Sequence, residues 1–195
     1  MSSKTIKTRK RILQAAWDLL ETKQGSAARM SDIAKAAGIS RQALYLHFDA
    51  RADLLEATTR YIDEVKDIDQ RLVASRTAPT GVARLHAFIE TWGNYIPEIY
   101  GVGRALMADQ DTDEAAAKAW QGRMDAVRHG CAAAIHAVNR DGGLLKGLSV
   151  EDATDMLWML LSVRNWEQLR HASGWSQEKY ISQLKQMADR LFVTK

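Results

Sequence analysis

The sequence predicts an all-α protein, a small three-helix head at the N-terminus joined to a larger helical body. Apolar residues recur at helical spacing along almost the whole chain, and no stretch alternates apolar and polar residues as a half-buried strand would. Only two prolines, Pro79 and Pro97, interrupt 195 residues. With 46% hydrophobic residues, 26% charged residues and a net charge of +3, the chain can bury a real core, and disorder is excluded.

Helix one is expected over 5–23, with Ile12, Leu13, Ala16, Trp17 and Leu20 on one face and Gly25 as its stop. A short helix follows at 31–37, then a turn at Gly38, a capping Ser40, and a second short helix at 41–47. A long connecting helix over about 50–75 carries Leu54, Thr58, Tyr61, Ile62, Val65, Ile68 and Leu72 on its stripe, and it ends before the Ser75–Gly81 break. Further helices are expected at 80–97, 103–109, 112–138, 149–172 and 176–193, divided by Gly101 and Gly103, by Asp141-Gly142-Gly143 and by Ser173-Gly174. The expected division is a head, 1–50, and a body, 51–195, whose first element is the connecting helix 51–75.

Cys131 stands alone, which excludes a disulfide scaffold and a cysteine-rich zinc site. His129 and His136 lie seven residues apart on one expected helix, about 10.5 Å by helix rise, too far to share a metal ion. No metal and no cofactor are therefore expected. The longest apolar run, 156–161, is far below the roughly 20 residues of a membrane span, and the basic N-terminus leads straight into an amphipathic helix with no signal-peptide pattern. The expectation is a cytoplasmic protein with no membrane partner. Catalytic signatures such as G-x-S-x-G, H-E-x-x-H or a phosphate loop do not occur, so an enzyme is not expected.

Charge is divided unevenly. Residues 1–60 hold 11 Lys+Arg against 6 Asp+Glu, while the remainder is slightly acidic, the asymmetry expected when one end of a protein meets a polyanion. Residues 31–48 sharpen this. Two short helices joined by a glycine turn can cross closely where Ala34 and Ala37 are small, with Ile33, Ile39, Leu44 and Phe48 filling the wedge, which is the pattern of a helix-turn-helix. Its second helix would turn Arg41, Gln42, Ala43, Tyr45 and His47 outward, donors and a methyl suited to the major groove.

The run Gly38-Ile39-Ser40-Arg41-Gln42-Ala43-Leu44-Tyr45-Leu46-His47-Phe48, followed by Arg51 and Leu54-Leu55, resembles the signature of the tetracycline-repressor (TetR) family over about residues 7–60. The resemblance implies a head that binds a double-stranded DNA operator, a body holding a small-molecule effector, and a homodimer made by the last two helices. It places Tyr45, His47 and Arg51 on phosphates and Gln42 and Ala43 on bases, with Arg41 beside them. Where family members carry Thr ahead of the motif this chain has Ala28, so the resemblance leaves Arg29 or Ser31 to face phosphate.

In the body, Val82, Leu85, Ile89, Trp92 and Ile96 form one stripe, and Trp120, Met124, Val127, Cys131, Ala134 and Val138 form another. Such stripes are core in most helical proteins. Together with Tyr95, Tyr100, Met107, Trp158 and Trp166 they also suit the wall of a pocket for a hydrophobic or aromatic effector, flanked by His86 and Arg128. The dimer surface is expected at Met156, Leu160 and Val163, apolar on nearly all sides of their helix, and at Tyr180, Ile181, Leu184, Met187 and Leu191. Motion is expected to start at Pro97 and Gly101/Gly103 and to reach the head through 50–75. The function expected is a ligand-responsive regulator, most simply a repressor of a pseudo-palindromic operator. The competing readings are an architectural DNA-binding protein without a ligand and a helical small-molecule binder or enzyme.

Overall fold

The structure, a computed structural model, describes residues 3–22 and 29–194. Gly25 and Ala28, on which two expectations rest, lie outside the described residues. Those described form α1 (Ser3–Thr22), α2 (Met30–Ala36), α3 (Arg41–Tyr45), α4 (Arg51–Val65), α5 (Ile68–Arg71), α6 (Val73–Arg76), α7 (Gly81–Asp109), α8 (Glu114–Arg140), α9 (Val150–Leu160), α10 (Val163–Glu167), a π-helical turn (Gln168–Ala172) and α11 (Gln177–Phe192). No described helix is long and apolar enough to cross a membrane. The chain divides into two compact units, one of residues 1–66 with 99–123, the other of 67–98 with 124–195.

In the first unit α1 packs on α2 and α4, and α2 on α3. The α1 stripe is buried as its period requires, along with Ile33, Ala34 and Ala37 of the α2 region, Leu44 and Phe48 around α3, and Leu54, Leu55 and Ile62 of α4. Ile99, Val102, Ala105 and Leu106 from the second half of α7 and Ala116 and Ala119 from the start of α8 complete this core. Trp17 meets Tyr61 edge-on at 6.5 Å between ring centroids.

In the second unit α7 and α8 approach so closely that a Cβ on Gly81 would lie 2.4 Å from the Val138 backbone nitrogen, and one on Gly130 would lie 2.4 Å from the Phe88 ring. The Gly81 amide donates to Asp141 Oδ2 at 2.6 Å. The chain end is tied to the α8–α9 loop by the Leu145 amide on the Phe192 carbonyl at 2.8 Å and the Thr194 amide on the Gly143 carbonyl at 2.9 Å.

Four expected helices are divided or joined differently. The segment 50–75 is broken at Asp67, which adopts φ +55, a left-handed conformation that an Asp tolerates better than most residues, and α5 and α6 are single turns beyond it. The break is invisible to periodicity because Ile68 and Leu72 continue the apolar spacing. The expected helices 80–97 and 103–109 are instead one helix, α7, running through Pro97, Gly101 and Gly103. Proline removes the bond that its own amide would make to the Gly93 carbonyl. Gln177 Nε2 donates to that carbonyl at 2.9 Å, so the break costs no unsatisfied acceptor. Conversely 149–172 is divided at Ser162, whose hydroxyl accepts from the Asn165 amide at 3.2 Å and caps a new helix, α10.

The expected dimer surface needs correction at three positions. Val163, Tyr180 and Leu184 are buried within their own chain, Leu184 at 2% exposure, so a partner has nothing of them to cover. They point inward because Tyr180, Leu184, Ala188 and Phe192 recur every four residues and make the inner face of α11. Met156, Leu160, Ile181 and Met187 are half-buried, and Leu191 is exposed, as is Met159 beside them.

Candidate nucleic-acid interface

The turn between α2 and α3 is a helix C-cap followed at once by an N-cap. Gly38 takes φ +64, its amide donates to the Lys35 carbonyl at 3.1 Å, and the Ile39 amide donates to the Ala34 carbonyl at 3.0 Å, a Schellman motif. Two residues later the Ser40 hydroxyl accepts from the Ala43 amide at 3.1 Å and starts α3. Leu44 and Phe48 pin α3 from below. Arg9 closes the far end, with its guanidinium 4.1 Å from the Phe48 ring centroid and Nη1 donating to the His47 carbonyl at 2.8 Å.

This anchoring fixes what α3 presents. Arg41, Gln42 and Tyr45 are exposed, Ala43 and His47 are half-buried, and Arg41 lies over the Tyr45 ring at 5.7 Å with Nη2 3.5 Å from its hydroxyl. Arg29, Ser31, Arg41, Tyr45 and Arg51, five of the eight expected DNA-binding residues, line one open groove of about 740 Å³, together with Met30 and Asp113. Arg29, the N-cap of α2, makes no side-chain capping bond, and Arg29 and Ser31 are both exposed. His47 lines a second groove, of about 420 Å³, where Asp49, Asp53, Glu56 and Glu64 make the wall acidic against Arg9 and Arg60. A polyanion is drawn to the first of these grooves more strongly than to the second.

Two residues of this surface escaped the sequence reading. Leu46, the residue that caps α3, is 85% exposed, and it stands four residues after Gln42, on the same helix edge. Counting that interval would have found it. Asp113 accepts from Arg51 Nη1 through Oδ2, while its Oδ1 accepts the amides of Ala115 at 3.0 Å and Ala116 at 3.3 Å and caps α8. Burial and the neighbouring Asp113 push the Asp109 carboxyl above its ordinary range, and Arg51 pulls it back.

The expected effector-lining residues fall in both units. In the first, Trp120 lines a small cavity of about 20 Å³ with Thr59, Ile62, Ile99, Val102, Gly103, Leu106 and Arg123. Arg123 forms a two-pronged ion pair with Asp63, both side chains largely covered. Met107 is buried in this unit, and Tyr100 is half-buried with Arg104 over its ring at 5.8 Å. In the second, Trp92, Tyr95, Met124, Val127, Cys131 and Trp166 are interior. Trp92 donates its indole N–H to the Leu161 carbonyl at 2.9 Å, and Trp166 donates to Gln177 Oε1 at 3.1 Å. Burial raises the Cys131 thiol pKa, which keeps it protonated. His86 faces Asp189 at 2.7 Å, Arg128 grips Asp155 at 2.7 and 2.9 Å, and Trp158 is half-buried.

A helix-turn-helix that presents donors beside a cationic groove is the arrangement of a DNA-binding head. Residues 12–58 match the tetR family of bacterial regulatory proteins. That match covers the head of the chain and leaves the body outside it. It is 24% identical to the HTH-type transcriptional regulator CymR of Pseudomonas putida over 91% of this chain and 85% of that one. It is 38% identical to the nucleoid occlusion factor SlmA of Marinomonas sp. (strain MWYL1), over 33% of this chain and only 32% of SlmA, so the chain matches about a third of that relative's length. The fold is shared with a transcriptional-regulator structure from Saccharomonospora viridis in complex with choline, at 20% identity and TM-score 0.75, covering 97% of this chain and all of that one.

Proposed function

We propose that the chain is a ligand-responsive repressor that binds a pseudo-palindromic operator as a two-fold homodimer in the cytoplasm and leaves it when an effector enters the body. The functional division is a DNA-binding head, 1–50, and a body, 51–195. The observation that carries the reading is the exposed edge of α3, Arg41, Gln42 and Tyr45, anchored from below and set beside the groove of Arg29, Ser31 and Arg51. Gln42 pairs with a base edge, the Ala43 methyl packs on a thymine, and Tyr45, His47 and the groove take phosphates. Half-buried Met156, Leu160, Ile181 and Met187 and exposed Met159 and Leu191 supply the apolar surface that a second copy covers.

The effector site is the Trp120 cavity. Its walls are apolar apart from the Thr59 hydroxyl and the Arg123 guanidinium, which favours a mainly hydrophobic or aromatic effector with one polar group. At about 20 Å³ it holds a single water-sized body, so an effector must part α4, α7 and α8 to enter. The Saccharomonospora viridis regulator with choline supports a small-molecule site in a body of this fold. An effector that binds the parted form better weakens the operator, and by linkage the operator weakens the effector equally.

Selection from a random duplex library tests the reading. Enrichment of an inverted repeat with half-sites about one helical turn apart, or slightly more, is expected. A library that returns no inverted repeat overturns it.

A further inference from the structure

We propose that Asp113 is an internal stand-in for a DNA phosphate: it holds Arg51 in the free protein, and Arg51 reaches its phosphate only when Asp113 lets go. The inference rests on the DNA-binding reading above. Asp113 and Arg51 are 62 residues apart in the chain, and both line the groove of Arg29, Ser31, Arg41 and Tyr45. Their side chains retain only 24% and 19% exposure. Both carboxylate oxygens are in use, one on the amides of Ala115 and Ala116, the other on Arg51, so the acid is fixed by the first turn of α8 and cannot swing aside alone. A phosphate approaching this covered guanidinium meets a fixed carboxylate.

The same stretch of α8 is fastened to α4 a second time. Asp113 holds Arg51 at the start of α4, Arg123 holds Asp63 near its end, and Trp120 lines the cavity between these ties. Trp120 thus stands between the two ties that hold the start of α8 to α4.

The test measures binding of the full-length protein to a fluorescent duplex of random sequence from about 50 to 200 mM salt, since phosphate contacts do not depend on sequence. Asp113→Asn keeps a capping side chain and removes the charge. It is expected to tighten binding about tenfold per head at about 0.1 M salt and to steepen the log–log salt slope by about one per head. The gain should vanish in an Arg51→Ala background. An unchanged slope, weaker binding, or a gain that survives Arg51→Ala overturns the proposal. Asp113→Ser repeats the comparison with a second capping residue, and loss of helicity in both variants would make Asp113 a structural cap and overturn it too. A wild-type protein that binds no duplex overturns the DNA-binding reading as well, whereas wild-type binding unaltered by Asp113→Asn overturns this inference alone.

Discussion

The two units use their polar side chains in opposite ways. In the second, polar groups serve packing: Gln177 takes the indole N–H of Trp166 and donates to the carbonyl that Pro97 leaves open, and Trp92 donates to Leu161. Gly81 lets α7 touch the α8 backbone, and Gly130 admits the Phe88 ring. In the first, donors are left on the surface. Arg41, Gln42 and Tyr45 stand out on α3, a leucine is exposed beside them, and the best-covered ion pairs tie α8 to α4 around a cavity. The difference separates a unit in which these polar groups hold the packing together from one that displays them on its surface.

Substitutions can break or sharpen that contrast. The largest effect is expected for Gly81→Ala in the second unit, because the new methyl would overlap the Ala137–Val138 backbone, which cannot yield as a side chain end would. About 3 kcal/mol of stability and roughly 10 °C in Tm should be lost, read by thermal unfolding. Gln177→Leu should cost about 2 kcal/mol by the same measurement, since it strands both the Gly93 carbonyl and the Trp166 N–H. In the first unit the effect should appear in binding and not in Tm. Gln42→Ala is expected to relax preference at one base position by about 1–3 kcal/mol in competition titrations, and Leu46→Ala should weaken binding by less, with unfolding unchanged for both. The smallest effect is a gain. The Tyr180 hydroxyl is buried without a hydrogen-bond partner among the described residues, so Tyr180→Phe should raise stability by up to about 1 kcal/mol in denaturant unfolding.

What was legible in the chain was what is local. Gly38 and Ser40 mark the turn of the helix-turn-helix by backbone conformation and capping, both decided within a few residues, and the period of α1 and α11 shows which faces are apolar. Which apolar face turns inward was not legible: the α11 stripe read as a dimer surface contains Tyr180 and Leu184, which their own chain buries. The helix ends at Asp67 and Ser162 were hidden because apolar spacing continues across both. Pro97 read as an end or a hinge because the partner that repairs it, Gln177, is 80 residues away. Arg51 read as a phosphate contact with no sign of Asp113, its partner in the fold, because the two are distant in sequence.

Amide hydrogen exchange of the full chain, with and without a duplex carrying the selected repeat, tests the separation of the two units most directly. Protection on DNA binding is expected across α2, α3 and the first turn of α4, where the groove lies, with the interior of the second unit around Trp92, Trp166 and Gln177 exchanging as before. Protection confined to the second unit, with α3 exchanging as freely on DNA as off it, would contradict the account.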